Sequence, residues 1–213
     1  MIQFLFDMDG LLLNTEWAWE EAIAFEFRKL VPDFDLSFFS EISGKGIFDI
    51  TRWFVEKNQI DMDPLELGDL IIKRVIVLFC NEPQSMSGAL QFVKDSREKG
   101  IGTNLVTSSP KVVVEAFLAE TGLSQMFDTV TTGDEVHVVK PDPSIYLKAV
   151  EKLDNNTSGV AVFEDSIPGV IAAKAAGLYT VKVHASNHFD RGQDISWSSF
   201  DQQKVSSVVD ALN

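Results

Sequence analysis

The chain opens on a short, almost continuously apolar run, Ile2 to Phe6, that stops at Asp7-Met8-Asp9-Gly10. An apolar run without alternation is the pattern of a strand covered on both faces, as in a parallel sheet. From Glu16 the spacing becomes helical. Trp19, Ile23, Phe27 and Leu30 recur along one face over Glu16 to Leu30, and the pattern ends before Pro32. Leu36 to Ile42, Phe48 to Asn58 and Pro64 to Cys80 repeat this spacing, with Gly44-Lys45-Gly46 as a break between the first two. No strand pattern interrupts residues 15 to 82. That absence predicts a helical insertion leaving at Glu82-Pro83.

From Gly88 onward the pattern alternates. Helices are predicted over Ala89 to Lys99, Lys111 to Thr121, Ser144 to Leu153, Ile167 to Ala176 and Val205 to Leu212, the first two closed by Gly100 and Gly122. Strands are predicted over Ile101 to Val106, Thr129 to Thr132, Val160 to Phe163 and Tyr179 to Val183. Strands alternating with helices imply right-handed crossovers, hence an α/β fold with a doubly wound parallel sheet. The expected division is a core of residues 1–14 and 83–213 and a helical cap of residues 15–82.

Composition narrows the partners. A chain of 213 residues that is 45% apolar, with sixteen Phe and four Trp, can bury a substantial core. A net charge of −14 argues against nucleic acid or an anionic membrane as partner. Cys80 stands alone, so no internal disulfide forms and a reducing, cytoplasmic setting is expected. No signal peptide is read at the start, and no run approaches the ~20 apolar residues that span a bilayer. A monomer acting on a small molecule is expected.

Four polar clusters fall at the carboxyl ends of predicted strands, where open α/β sheets bind ligands. They are Asp7/Asp9, Thr107/Ser108, Lys140 and Glu164-Asp165-Ser166. Each has a plainer reading. Asp-x-Asp-Gly suits a surface turn, and Thr107 to Ser109 suits an N-cap before Pro110. Lys140 suits a solvated loop, and Glu164-Asp165 a helix N-terminus. Their convergence on one sheet edge suits phosphoryl transfer. A carboxylate nucleophile divides a hard hydrolysis into two easier steps. Magnesium takes hard oxygen ligands, while a hydroxyl, helix N-terminal amides and a lysine hold the phosphoryl oxygens. Gly10 lets the backbone turn and approach a ligand.

Asp7-Met8-Asp9-Gly10, Leu105-Val106-Thr107-Ser108-Ser109, Lys140-Pro141 and Phe163-Glu164-Asp165-Ser166 with Gly169 resemble the four ordered motifs of the haloacid dehalogenase superfamily. The insertion resembles its helical type I cap, and the whole chain resembles the branch of β-phosphoglucomutase and sugar-phosphate phosphatases. The resemblance implies Asp7 as nucleophile and Asp9 as general acid and base, with Thr107 and Lys140 holding the phosphoryl group. It implies Mg2+ held by Asp7, Asp165 and the Asp9 carbonyl, with Glu164 a ligand or a partner through water. Gly10, Ser108 and Lys45 are the expected substrate contacts. Asp9 argues against dehalogenation, because members that attack carbon–halogen bonds lack an acid–base residue there.

The resemblance leaves three activities to weigh. The first is a magnesium-dependent phosphatase working on a small phosphate ester through a phospho-aspartate. The alternative is a phosphomutase of the β-phosphoglucomutase type. The mutase carries a histidine where this chain has Trp19 and an arginine where it has Ile47, with Lys45 a partial substitute for the arginine. A receiver-type signalling module also uses an acidic pair, a Thr/Ser and a Lys, but without such an insertion. Where the family places an acidic residue, this chain has Asn14, which can still hydrogen-bond. Trp17, Trp19, Phe48 and Trp53 read as core or as the cap face, and His137, His184 and His188 have no metal-like spacing.

Overall fold

β1 (Gln3–Phe6) lies inside a six-stranded, all-parallel sheet in the order β3-β2-β1-β4-β5-β6. The other strands are β2 (Gly102–Val106), β3 (Thr129–Thr131), β4 (Val160–Glu164), β5 (Tyr179–Lys182) and β6 (Ile195–Ser196). The protein is seen here in a computed structural model that describes residues 1–35, 46–183 and 191–212. Phe6 is level with Leu105 on β2 and Phe163 on β4, and the Asp7 N–H donates to the Phe163 carbonyl at 3.1 Å. The first acidic residue therefore emerges between the ends of two neighbouring strands.

Every residue of β2 and β4 is buried, as strands covered by helices on both faces must be; β2 satisfies its two polar side chains internally, Thr103 donating to the Met126 carbonyl and Asn104 to Gln3 Oε1. On one face, Phe4 and Phe6 pack with Phe163 (ring centroids 5.0 and 4.8 Å apart) beneath α4 (Ala89–Glu98), α5 (Lys111–Glu120) and α8 (Val205–Leu212). On the other, Leu5, Val106 and Val162 meet Ile145, Tyr146, Ala172 and Ala173 of α6 (Ser144–Glu151) and α7 (Ile167–Ala175). Burying each of the Phe, Leu, Ile and Val side chains among these stabilises by roughly 1.5–3 kcal/mol.

Between β1 and α4 stand α1 (Glu16–Leu30), α2 (Ile47–Asn58) and α3 (Pro64–Asn81). The α1 and α2 stripes meet at Phe27 and Phe54, whose rings stack 3.6 Å apart between centroids. Glu26 is buried but paired, accepting from Arg74 at 3.0 Å and Lys29 at 2.9 Å. Asp63 caps α3 by accepting from the Leu65 N–H, with Pro64 in the first turn. Phe79 of α3 lies 4.0 Å, between centroids, from Phe117 of α5 and so seats the insertion against the sheet layer. Its two connections are laced together. The Asn14 N–H donates to the Gln84 carbonyl at 3.0 Å, the Asn14 side chain to Gln84 Oε1 at 2.9 Å, and the Met86 N–H to the Leu12 carbonyl at 2.9 Å.

The predicted helix over Leu36 to Ile42, and Gly44 and Lys45, lie outside the described residues. Elsewhere the observed element ends lie within two residues of the predicted ones, and Glu16–Leu30 and Val205–Leu212 coincide with them. β6 and a 3-10 turn over Gly133–Glu135 carry no sequence pattern, being two and three residues long. Among the described residues, no helix is long and apolar enough to cross a membrane.

Candidate active site

Lys140 is the centre of the charged cluster. Only 5% of it is exposed, which rules out the solvated-loop reading. Its Nζ donates to Asp7 Oδ1, to Glu164 Oε1 at 2.5 Å and to the Val106 carbonyl at 3.3 Å. Glu164 is the last residue of β4 and fully buried. Its Oε1 also accepts from the Tyr146 hydroxyl at 2.5 Å, and its Oε2 from Ser166 Oγ at 3.1 Å. Gly169 on α7 makes room for this carboxylate, since a Cβ there would collide with it. Ser166 caps α7, accepting from the Gly169 N–H at 3.0 Å. The helix-terminus reading of Glu164-Asp165 thus does not hold for Glu164, which ends β4 and turns inward; the cap is Ser166.

Asp7, Glu164 and Asp165 each bring a carboxylate oxygen within 4.8 Å of the others. Both Glu164 oxygens already have protein donors, whereas Asp165 Oδ1 is buried with no partner. A buried, unpartnered carboxylate oxygen is costly unless something electropositive meets it. The donor set is all oxygen, which suits a hard divalent cation such as Mg2+. The electrostatics agree. Burial raises the Asp7 carboxyl to about 8, against the pull of Lys140 and reinforced by the charges of Glu164 and Asp9. Burial, then Asp7 and Glu164, push Asp165 well above the carboxylate range. Lys140 would be lowered by burial, but its two carboxylates raise it and keep it charged. A divalent cation among these oxygens reverses the repulsion.

Asp9 is braced on both oxygens. Oδ1 accepts from Thr15 Oγ1 at 2.7 Å and Trp19 Nε1 at 3.3 Å. Oδ2 accepts from Thr107 Oγ1 at 2.9 Å and Ser109 Oγ at 2.8 Å. The N-cap reading of Thr107 to Ser109 does not hold, because α5 begins after Pro110 with no side-chain cap. Thr107 instead accepts from the Ser109 N–H at 3.0 Å while donating to Asp9. Ser108 Oγ is buried without a protein partner. Gly10 has φ +79 and lies against the Asp165 carboxylate.

The structure therefore brings Asp7, Asp9, Gly10, Thr107, Ser108, Lys140, Glu164 and Asp165 to one edge of the sheet. Lys45 lies outside the described residues. Sequence reading assigned no site role to Thr15, Ser109 or Tyr146, and weighed Trp19 only as core or as part of the cap face. Tyr146 falls on the apolar stripe of α6 and reads as core, and Trp19 does the same on α1.

A family model described as haloacid dehalogenase-like hydrolase matches residues 3–177. The chain is 33% identical over 195 residues to a phosphorylated carbohydrates phosphatase of Thermotoga maritima, covering 86% of each. It is 30% identical over 185 residues to the fructose-1-phosphate phosphatase YqaB of Escherichia coli K12, covering 84% of this chain and 94% of that one. A crystal structure of β-phosphoglucomutase from Clostridium difficile shares the fold, with a TM-score of 0.86 at 21% identity over 100% of this chain and 98% of that one.

Proposed function

The chain belongs to the haloacid dehalogenase-like hydrolases and is a phosphoric monoester hydrolase; from that premise we propose that it is a magnesium-dependent phosphatase of a small phosphorylated carbohydrate. The observation that carries this reading is the unpartnered Asp165 Oδ1 beside Asp7 and a buried Lys140. Mg2+ held by Asp7, Asp165 and the Asp9 carbonyl, with Glu164 behind it, would neutralise the phosphate and lower the barrier to attack.

The chain's own residues supply the rest. An Asp7 carboxylate oxygen attacks phosphorus, and the bond from phosphorus to the ester oxygen breaks. Asp9 delivers its proton to that departing oxygen. It then takes a proton from water as the water attacks the phospho-aspartate, which returns Asp7 and releases inorganic phosphate. Lys140 and the hydroxyls of Thr107 and Ser108 offset charge on the transferring group. Gly10 keeps the backbone close, and Lys45 is a substrate contact from the cap. Residues 1–14 and 83–213 act as the catalytic core and 15–82 as the cap that selects substrate and excludes water. A cytoplasmic monomer fits an acidic chain with Cys80 free.

The test is phosphate release from a panel of phosphorylated sugars and polyols, with and without Mg2+. Mg2+-dependent release from at least one sugar phosphate is expected, with activity abolished by EDTA. Full activity in the metal-stripped protein would overturn the metal assignment, and no release from any ester would overturn the phosphatase.

A further inference from the structure

Asp9 sits at the start of a tight turn whose far end leads straight into the cap. The Gly10 N–H donates to the Leu13 carbonyl at 2.8 Å, and Thr15 precedes the first residue of α1. Trp19 is one helical turn further along, and its indole N–H reaches back 3.3 Å to Asp9 Oδ1. Not every indole of this helix finds a partner: Trp17 Nε1, two residues earlier, is buried and unpaired. The two oxygens of Asp9 consequently face different parts of the molecule. Oδ1 looks to the cap through Thr15 and Trp19, and Oδ2 looks to the end of β2 through Thr107 and Ser109.

The partners differ chemically as well. A hydroxyl can donate or accept by rotating, but an indole N–H only donates. While Trp19 is in place, Oδ1 stays an acceptor. Oδ2, met by two hydroxyls that can reverse, is the oxygen through which a proton can pass.

Resting on the phosphatase reading above, we propose that Trp19 is a positioning residue that ties the cap to Asp9, fixing the carboxylate so that Oδ2 serves the leaving oxygen. Helix α1 then delivers cap position and acid–base geometry together. Trp19 acts through Asp9 and touches neither phosphorus nor metal.

Protonating the leaving group matters for a sugar alkoxide and hardly at all for a nitrophenolate, which departs unaided. The experiment compares kcat/KM for fructose 1-phosphate and p-nitrophenyl phosphate in the intact enzyme and in Trp19→Phe, which keeps an aromatic ring and removes the donor. The expected result is a drop on the order of tenfold or more for the sugar ester, with the aryl ester within about twofold of wild type. Trp19→Gln, which keeps an N–H donor and loses the ring, is expected to hold the wild-type ratio between the two substrates even if both rates fall. On an Asp9→Asn background, Trp19→Phe is expected to have no further effect on that ratio. Equal losses on both substrates, or a ratio that collapses alike in Trp19→Phe and Trp19→Gln, overturns the positioning role and leaves the phosphatase standing. If another sugar ester of the panel is hydrolysed faster it replaces fructose 1-phosphate, and wild-type protein that hydrolyses no ester at all overturns the phosphatase reading and this proposal with it.

Discussion

The carboxylate of Asp165 rests directly against Gly10, where any Cβ would overlap it, and Gly10 itself holds φ +79. Two independent costs therefore meet at one position. A non-glycine residue in the left-handed region costs on the order of 1–2 kcal/mol, and the added methyl must also displace Asp165. Gly10→Ala is expected to lower the melting temperature and to raise the Mg2+ concentration needed for half-maximal activity. A variant with weakened stability but an unchanged Mg2+ response would show that Asp165 is not held by this contact.

Asp7→Asn keeps the shape of the side chain and removes the carboxylate proposed as the nucleophile. Turnover is expected to fall by several orders of magnitude with circular dichroism unchanged. The same change removes one of three crowded carboxylates, so the metal-free protein at pH 8 should be at least as stable as the parent. Retention of more than a few per cent of activity would place the nucleophile elsewhere.

Burial of this acidic cluster also gives a pH signature. Asp7 binds its proton up to about 8 in the folded chain, against an ordinary 3.8, and Asp165 is raised as well. Between those limits the folded state holds more protons than the unfolded state, so stability falls as pH rises. Lys140 contributes nothing to this slope, because its raised value takes effect only above the ordinary 10.5. Thermal unfolding of the metal-free protein should show a lower melting temperature at pH 8 than at pH 5.5. Saturating Mg2+ should flatten that difference by replacing the protons. A metal-free protein that grows more stable toward pH 8 would contradict the electrostatics of the site.

Tyr146 carries a prediction that the sequence hides. Its hydroxyl is buried and donates to the same Glu164 oxygen that Lys140 meets. Tyr146→Phe removes that donor and leaves Glu164 less well paired, at a cost of about 1–3 kcal/mol. With Lys140 then free to shift toward Glu164, kcat should fall more than KM rises. An unchanged kcat in a destabilised variant would confine Tyr146 to the core.

Why some of this site is legible in the sequence and some is not follows from where each residue sits. Asp7, Thr107 and Asp165 each follow a strand end, so the change from apolar to polar marks them, whereas Lys140 lies in the loop between β3 and α6. Tyr146 and Trp19 lie on helical stripes with Ile145, Ala149 and Ile23, where an aromatic residue reads as packing and its single polar atom leaves no periodic trace. The burial of Lys140 was equally hidden, because a lysine before proline looks solvated until three chain segments close around it. β6 is two residues long, too short for any alternation to register. The sheet itself was legible because β1 and β4 are apolar runs and because strand and helix patterns alternate along the chain, although β2 also buries Thr103 and Asn104.

Net hydrolysis, rather than transfer back to a sugar, is the last expectation. A mutase retains a bis-phosphorylated intermediate, so its cap must grip the phosphate that is not reacting, best with a forked guanidinium. Ile47 stands where that arginine is expected, and in the structure it is the first residue of α2 and is buried in the main hydrophobic cluster. It neither donates a hydrogen bond nor offsets charge. Trp19 stands at the mutase's histidine position and is engaged with Asp9 instead of being free for a second phosphate. Incubation with β-glucose 1-phosphate, a trace of glucose 1,6-bisphosphate and Mg2+ should therefore yield inorganic phosphate or no reaction. Efficient formation of glucose 6-phosphate would move the protein to the mutases. It would also mean that the cap grips a distal phosphate without an arginine at position 47, leaving Lys45 as the side chain to test next.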